Sequence, residues 1–510
     1  MLSQPLVLQR GPRPGDELEV RVEEITSEGL GLAVLDVLLG PQREPRQYTV
    51  FVRRAVPGDH VRVRVEQTRR RRITSRIEDF ISPSPMRIEP RCRHFGQRTV
   101  PGKGCGGCTL QSLSYRHQLA VKERIVKKLM ADEGLDPGLV YPVIGQNEPW
   151  FYRNKMEFSF GDDEARDFAL GLHPAGRKYD ILSLEECFLE SEFASHLVPA
   201  TRLWAVAQGF EPYLGTANTG FLRNLIVREG KRTGERMIEL VTTADETVHV
   251  GGQEMAAEQA ARQFCDFLVA YAAEHAASLT SVYWTQYRVA RGEVTRYVEH
   301  LMAGSPVLHE ELHLPAGVRL RFEIHPRAFF QPNSEQAELL YATVLERTGL
   351  RTGEQSAVVL DLYCGTGTIG LCLAPFASKV VGIELQPDAV DNARKNAAYN
   401  GIENIEFFVG DVGKVLASEE FATAVATAPD IVILDPPRAG LLPEALEHLQ
   451  ALGAARIVYV SCNPKALARD LRLLAKSGYG YTAIQPVDMF PHTYHVENVV
   501  VLTKDQAKGP

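Results

Sequence analysis

The chain has 510 residues, with 56 Lys and Arg against 64 Asp and Glu, a formal net charge of −8, and 45% hydrophobic residues. That length exceeds what one core usually holds and implies two to four domains, while the acidic balance excludes a uniformly basic nucleic-acid binder but leaves room for a local basic face. With no run of about 18 uncharged apolar residues and no leader of secretory type, a cytoplasmic protein without a membrane segment is expected.

Segments with period-two alternation, Glu17 to Glu23, Leu30 to Leu35, Gln47 to Val52 and His60 to Glu66, with Pro57-Gly58-Asp59 as a turn, predict a small OB-like β-barrel over residues 1–81. The last strand runs into Arg69-Arg70-Arg71-Arg72 and then Arg76. This guanidinium cluster suits an RNA backbone as well as it suits plain solvation, and phosphate contacts of that kind supply affinity rather than sequence choice.

Residues 82–90, Ser-Pro-Ser-Pro-Met-Arg-Ile-Glu-Pro, read as a boundary. Beyond it stand Cys92, Cys105 and Cys108, the last two in Gly104-Cys105-Gly106-Gly107-Cys108, where glycines let the backbone wrap a bound centre; Cys187 comes later, in Leu184-Glu185-Glu186-Cys187. Eight cysteines are too sparse for a disulfide scaffold, and grouped ones point to metal or catalysis. Four thiolates can hold zinc or a 4Fe-4S cluster, and spacing alone leaves both open. A zinc ribbon expects two CxxC knuckles where the chain offers one, and the spacing also differs from the CxxxCxxC of radical enzymes.

From Tyr115 to Glu133, Leu119, Ile125, Val126 and Leu129 interleave with Lys122, Arg124, Lys127 and Lys128, which predicts an amphipathic helix with a basic side. The region 82–325 reads as a mixed α+β domain. In it Phe151-Tyr152-Arg153-Asn154-Lys155 and Phe221-Leu222-Arg223-Asn224-Leu225 place aromatics beside basic and amide groups, which suits stacking on unpaired bases or half-buried strand edges equally.

Residues 326–510 alternate strand and helix, the pattern of a doubly wound, Rossmann-like α/β sheet. The strand Ala357–Leu360 leads into Asp361-Leu362-Tyr363-Cys364-Gly365-Thr366-Gly367-Thr368-Ile369-Gly370, whose glycines permit a tight turn close to a ligand. A second strand from Lys379 to Ile383 ends in Glu384, 23 residues past Asp361 and placed to accept from ribose hydroxyls. Gly365 to Gly370 also matches the dinucleotide pattern, which by itself is weak. The strand Ile431–Leu434 ends in Asp435-Pro436-Pro437-Arg438, and Ile457–Val460 ends in Ser461-Cys462-Asn463-Pro464. A lone cysteine there is commonly a small core hydrophobe. Four strand ends sharing one rim, with Gly365, Glu384, Asp435 and Cys462 on it, make it a candidate nucleophile instead.

Asp361 with the Cys-Gly-Thr-Gly beyond it, and Gly-Ile-Glu384, resemble the first two motifs of S-adenosylmethionine-dependent methyltransferases. Taken with Phe330-Gln331-Pro332-Asn333, Asp435-Pro436-Pro437-Arg438, Ser461-Cys462-Asn463-Pro464 and His495-Val496-Glu497-Asn498, the chain resembles the RNA 5-methyluridine (uracil-C5) methyltransferase family, particularly its 23S rRNA branch. In that resemblance the barrel corresponds to a TRAM domain, and Cys92, Cys105, Cys108 and Cys187 to a 4Fe-4S site, with a longer spacing through Arg98 to Gly104. The resemblance implies Cys462 as nucleophile and Glu497 as base, with Gln331, Tyr363, Glu384 and Asp435 lining the cofactor pocket and Thr368 and Asp411 as further contacts. It also implies three domains: 1–81 TRAM-like, 82–325 RNA-binding with the cysteine site, and 326–510 methyltransferase.

The chemistry needs such a pair, because carbon 5 of uracil is a poor nucleophile. Thiolate addition at carbon 6 makes carbon 5 an enolate carbon able to take a methyl group, and a base must then remove the carbon 5 proton. The expected partner is RNA, 23S rRNA first and tRNA second, bound by a monomer; the target base must be unstacked to be reached. Two rivals are an exocyclic-amine methyltransferase, since Asp435-Pro436-Pro437 resembles the Asp-Pro-Pro-Tyr loop of those enzymes with Arg438 in place of the aromatic, and a non-catalytic RNA-binding protein.

Overall fold

The computed structural model describes residues 6–96, 104–289, 295–351, 356–425 and 428–504. Residues 98–103 of the lengthened cysteine spacing lie outside the described residues.

At the N-terminus a curled seven-stranded sheet runs in the order Leu6–Leu8, Leu30–Leu39, Glu44–Arg53, Arg72–Ser82, His60–Arg69, Glu17–Arg21, with Glu24–Ile25 paired beside Leu30–Leu39. Alternate residues, among them Val20, Val50, Val63 and Ile73, fill its interior. The arginine run is the tight end of a hairpin: Arg69 pairs with Arg72, and Arg70 takes φ +56. The strand Arg72–Ser82 is hidden in the sequence because guanidinium groups interrupt the alternation of Ile73, Ser75 and Ile77. Buried Asp59 then anchors the boundary segment through Arg87, whose Nε and Nη2 donate to it at 2.7 and 2.6 Å.

The helix Tyr115–Asp132 ties the molecule together. Ile125 and Val121 pack with Ile25 and Val56 of the N-terminal sheet, while Val126 and Met130 pack into the C-terminal core. Its basic side is not uniform. Lys122 is fully buried, donating to Asp488 Oδ1 at 2.5 Å and to the Phe490 carbonyl at 3.0 Å, so it is an internal strut rather than part of a solvated face. A fully desolvated ammonium requires such a partner.

The middle of the chain forms a second seven-stranded sheet, ordered Leu182–Ser183, Phe168–Leu172, Lys155–Asp162, Leu222–Glu229, Arg236–Thr243, Ser281–Arg288, Arg296–Gly304. Helices Glu192–Gln208 and Ala257–Glu274 cover one face, sharing a core with Phe158, Leu225, Leu240 and Trp284. Phe221 belongs to that core, so of the two readings of its segment the buried strand edge holds for this ring and base stacking does not. Phe151 lies edge-on to Phe188, beneath Arg91. Arg223 and Asn224, by contrast, reach a cavity on the opposite face.

The C-terminal sheet supplies the site. Its strands are β1 Val358–Leu362, β2 Lys379–Glu384, β3 Ile405–Val409, β4 Ile431–Leu434, β5 Arg456–Ser461, β6 Tyr479–Val487 and β7 Glu497–Lys504, in the order β3-β2-β1-β4-β5-β7-β6. The first five are mutually parallel, as the continuous apolar runs of β4 and β5 require, and β7 is antiparallel between β5 and β6. Among the described residues no helix is long and apolar enough to cross a membrane.

Candidate active site

Four parallel strands end on one rim, and the reversed β7 begins there. Register makes this explicit: Ser461 pairs with Asn498, so Cys462 and Glu497 flank the same end of two bonded strands. Asn463 stops β5 and caps the helix Pro464–Lys476, its Oδ1 accepting from Lys465 N–H at 3.1 Å while its Nδ2 donates to the Arg438 carbonyl at 2.8 Å. The Cys462 turn and the Asp435–Arg438 loop are therefore fastened to each other.

Burial sets the protonation of this rim. Glu497 is pushed up to about 8 by desolvation and then by Asp435, against Arg438. Asp435 is pushed up to about 7 by desolvation. The Cys462 thiol, half-buried, rises to about 11 through desolvation and then the Glu497 and Asp435 carboxylates, opposed by Arg438. The resting pocket therefore holds a protonated thiol, and added positive charge would release the thiolate.

At β1 the chain turns sharply. Tyr363 takes φ +63, a strained value for a bulky residue, with Gly365 at +56 and Gly367 at +72 after it. A side chain at Gly367 would strike Phe407 at 2.7 Å, whereas one at Gly365 would meet nothing within 4 Å, so open space lies over the turn. Glu384 accepts from Gly365 N–H at 3.1 Å and Gln386 N–H at 2.9 Å. Asp361 Oδ2 accepts from Gly370 N–H at 2.9 Å, and its buried Oδ1 has no hydrogen-bond partner. A glycine turn with space above it, an acid at the end of β2 and a spare buried acceptor fit a nucleoside cofactor with a cationic tail.

Gln331 lies in a segment pinned to the same rim. Its carbonyl accepts from Asn154 Nδ2 at 2.8 Å, and Asn333 Nδ2 donates to the Met489 carbonyl, just past β6. Thr368 shares a hydroxyl contact with Thr366, and exposed Asp411 caps the helix Val412–Leu416. The structure thus gathers Tyr363, Glu384, Asp435, Cys462 and Glu497 at one rim, with Gln331 alongside and Asp411 at its margin.

Around Cys462 opens a cavity of about 230 Å³, walled by Arg438, Asn463, Lys465, Tyr494 and His495, and also by Ser27 and Glu28 of the N-terminal sheet. No sequence pattern points to Ser27 and Glu28; only docking of the barrel turn, with Gly29 packed tightly on Tyr494, brings them there.

Cys92, Cys105, Cys108 and Cys187 line a separate cavity with Phe95, Leu172, Leu184, Phe188 and Leu189. Gly107 N–H points at Cys105 Sγ (3.3 Å) and Gln111 Nε2 at Cys108 Sγ (3.2 Å). Arg54 donates to the Cys105 carbonyl at 2.7 Å, and desolvation pushes the Cys92 thiol up to about 11 and that of Cys187 to about 12. Among the described residues, no three His, Cys, Asp or Glu side chains are gathered as ligands of one metal ion. That finding supports neither the expected 4Fe-4S cluster nor its zinc alternative.

A doubly wound sheet with a glycine turn on its first strand and an acid on its second defines the class of nucleoside-cofactor enzymes. Residues 294–505 match the model of the tRNA (uracil-5-)-methyltransferase family and residues 13–77 that of the TRAM domain. An uncharacterised RNA methyltransferase of Caldanaerobacter subterraneus is 37% identical over 96% of this chain and 99% of its own length. One from Halalkalibacterium halodurans is 34% identical over 96% of this chain and 97% of its own length. The crystal structure of Pyrococcus abyssi tRNA (uracil-54, C5)-methyltransferase with S-adenosyl-L-homocysteine superposes with a TM-score of 0.67 at 26% identity, covering 95% of this chain and 100% of that one. The chain belongs to the uracil-5 RNA methyltransferase family and carries a TRAM domain: it is an S-adenosylmethionine-dependent RNA methyltransferase.

Proposed function

We propose that this enzyme methylates carbon 5 of a uridine in 23S rRNA through a covalent bond between Cys462 and carbon 6. The observation that carries the reading is the placement of Cys462 and Glu497 on adjoining strand ends, close enough for the Glu497 carboxyl and the Arg438 guanidinium both to act on the thiol, with Cys462 opening on a cavity that Arg438 also lines. Tyr363, Glu384, Asp435 and Gln331 would hold S-adenosylmethionine, which supplies an electrophilic methyl group when bound. Cys462, as thiolate, adds to carbon 6, and the electron pair passes to carbon 5 and its adjoining carbonyl. Carbon 5 takes the methyl group. Glu497, as carboxylate, then removes the carbon 5 proton; the electrons re-form the ring double bond as the carbon–sulfur bond breaks, returning the Cys462 thiolate. Arg438 is the chain's own cation next to the thiol and favours its ionised form.

RNA carrying 5-fluorouridine at the target tests the chemistry, because fluorine cannot leave as a proton: a denaturation-stable adduct on the Cys462 peptide is expected. An exocyclic-amine methyltransferase needs no thiol and would form none. The choice of 23S rRNA rests on the pairing of a TRAM domain with the four-cysteine cavity. A tRNA uridine is the second reading, favoured by the structural neighbour whose substrate is uracil 54 of tRNA. Mapping 5-methyluridine in RNA from cells lacking the gene decides between them.

For the cysteine cavity the proposed occupant is a 4Fe-4S cluster, a reading supported by four thiols lining one apolar cavity and by two N–H groups aimed at their sulfurs. Iron and sulfide analysis of protein purified without oxygen tests this; Cys108→Ser should lose both.

A further inference from the structure

Helices Glu192–Gln208 and Ala257–Glu274 pack on one face of the central sheet. On the other lies a cavity of about 350 Å³, within the size range of small-ligand sites, which begins at roughly 300 Å³. Its walls come from five strands and from the segment that leads to Gln331, through Lys155, Arg223, Asn224, Tyr287, Tyr297 and Arg327.

The groups are arranged as a stacking platform. The Arg223 guanidinium lies between two rings, 3.8 Å from the centroid of Tyr213 and 4.1 Å from that of Tyr287. Arg327 lies 3.9 Å over Tyr297, and Tyr287 and Tyr297 meet edge to face at 5.2 Å. Tyr297 is 38% exposed, and Phe329, two residues before Gln331, is 66% exposed. Arg327 is held by Glu299 at 4.0 Å and Lys155 stands beside Glu157 and Glu239, whereas among the described residues no carboxylate forms an ion pair with Arg223, which leaves that guanidinium as the charge open to an anion. Deeper in the cavity, Asn224 and buried Glu239 offer donor and acceptor atoms for the edge of a base.

Lys155 and Glu157 also line a second opening of about 300 Å³, which runs past Arg153 to Pro332, next to Gln331 in the chain, and to Gly107, Leu172 and Leu189 beside the cysteine cavity. Rings for stacking, guanidinium groups for phosphate and amide or carboxyl atoms for a base edge are what an unpaired nucleotide needs.

We propose that this cavity holds an unpaired nucleotide of the substrate RNA other than the target uridine, its base against Tyr287 and Tyr297 and its phosphate on Arg223. The inference rests on the uracil-methylation reading for what lies at Cys462, but its site is separate. The central sheet thereby grips a flanking base while the target is presented to the thiol.

The test uses the full-length enzyme and unmodified 23S rRNA and tRNA transcripts containing 4-thiouridine and, in a second preparation, 5-fluorouridine. Ultraviolet crosslinking should join the first to peptides carrying Tyr287 or Tyr297. Replacing both tyrosines by Leu should weaken binding about tenfold to a hundredfold, the loss expected for one to two stacking contacts, while replacing both by Phe should restore it. Affinity for S-adenosylhomocysteine should not move in either variant. Unchanged RNA affinity in the Leu variant, or crosslinks confined to other peptides, overturns the subsite while the Cys462 adduct still forms with the fluorinated RNA. Tyrosine-dependent binding without any adduct would instead support the subsite and overturn the methylation chemistry.

Discussion

Replacing Glu497 by Gln separates the cost of the buried base from its use. In the folded chain this carboxyl is pushed from 4.5 up to about 8, chiefly by burial. Below pH 4.5 both folded and unfolded chains hold the proton. Between 4.5 and 8 the unfolded chain releases it while the native one keeps it, so stability falls as pH rises and the loss is complete above 8. At about 1.4 kcal/mol per pH unit, the loss reaches about 5 kcal/mol if Glu497 titrates alone. Asp435, pushed up to about 7, titrates in the same window, so the pair shares the effect and Glu497 carries about 2.5 kcal/mol by an even division. In a unit the size of the C-terminal domain that corresponds to roughly 5–10 °C. Melting curves should therefore show the Gln variant close to wild type at about pH 5 and roughly 5–10 °C more stable at about pH 8.5. Turnover should fall about 10²–10⁴-fold, as for loss of a general base, and a denaturing gel should show enzyme held on unmodified substrate RNA. A variant that gains no stability at about pH 8.5, or that methylates at the wild-type rate, would refute the reasoning.

Other outcomes derive from the same geometry. Cys462→Ala should abolish methyl transfer while retaining RNA binding, measured with labelled S-adenosylmethionine and by filter retention. Because the reaction needs Glu497 as carboxylate, pushed up to about 8, and Cys462 as thiolate, pushed up to about 11, kcat/KM should rise roughly a hundredfold per pH unit below 8 and still roughly tenfold per unit between 8 and 11. Lys122→Met leaves Asp488 buried without its cation and should destabilise the fold by about 3–5 kcal/mol in denaturant titration; the double change with Asp488→Leu should recover part of that loss. Gly367→Val forces a β-branched residue into φ +72 and against Phe407, and should lower both the melting temperature and S-adenosylhomocysteine affinity, read by calorimetry.

Local sequence suffices for the elements of the catalytic domain and the chemistry of its rim. Buried parallel strands read as uninterrupted apolar runs, and the residues after each one, Asp361-Leu362-Tyr363-Cys364-Gly365, Glu384, Asp435-Pro436 and Cys462-Asn463, are contiguous with it, so strand ends could be recognised one by one. Glu497 was legible as a residue before a strand, but its place beside Cys462 depends on β7 inserting antiparallel next to β5, a register no local pattern specifies. Lys122 reads as one more cation on a basic helix face; only the long-range approach of Asp488, 366 residues away, makes it an internal strut. Phe221 has the look of a base-stacking ring, yet the helices of the central domain bury it, and the tyrosines that do stand on the open face, Tyr287 and Tyr297, sit in strands where nothing local distinguishes them. The same holds for Ser27 and Glu28, which reach the catalytic cavity because the barrel docks on Ile125 and Tyr494. Covalent neighbours disclose the chemistry of a strand end; which domains close over it is decided by packing between surfaces far apart in the chain.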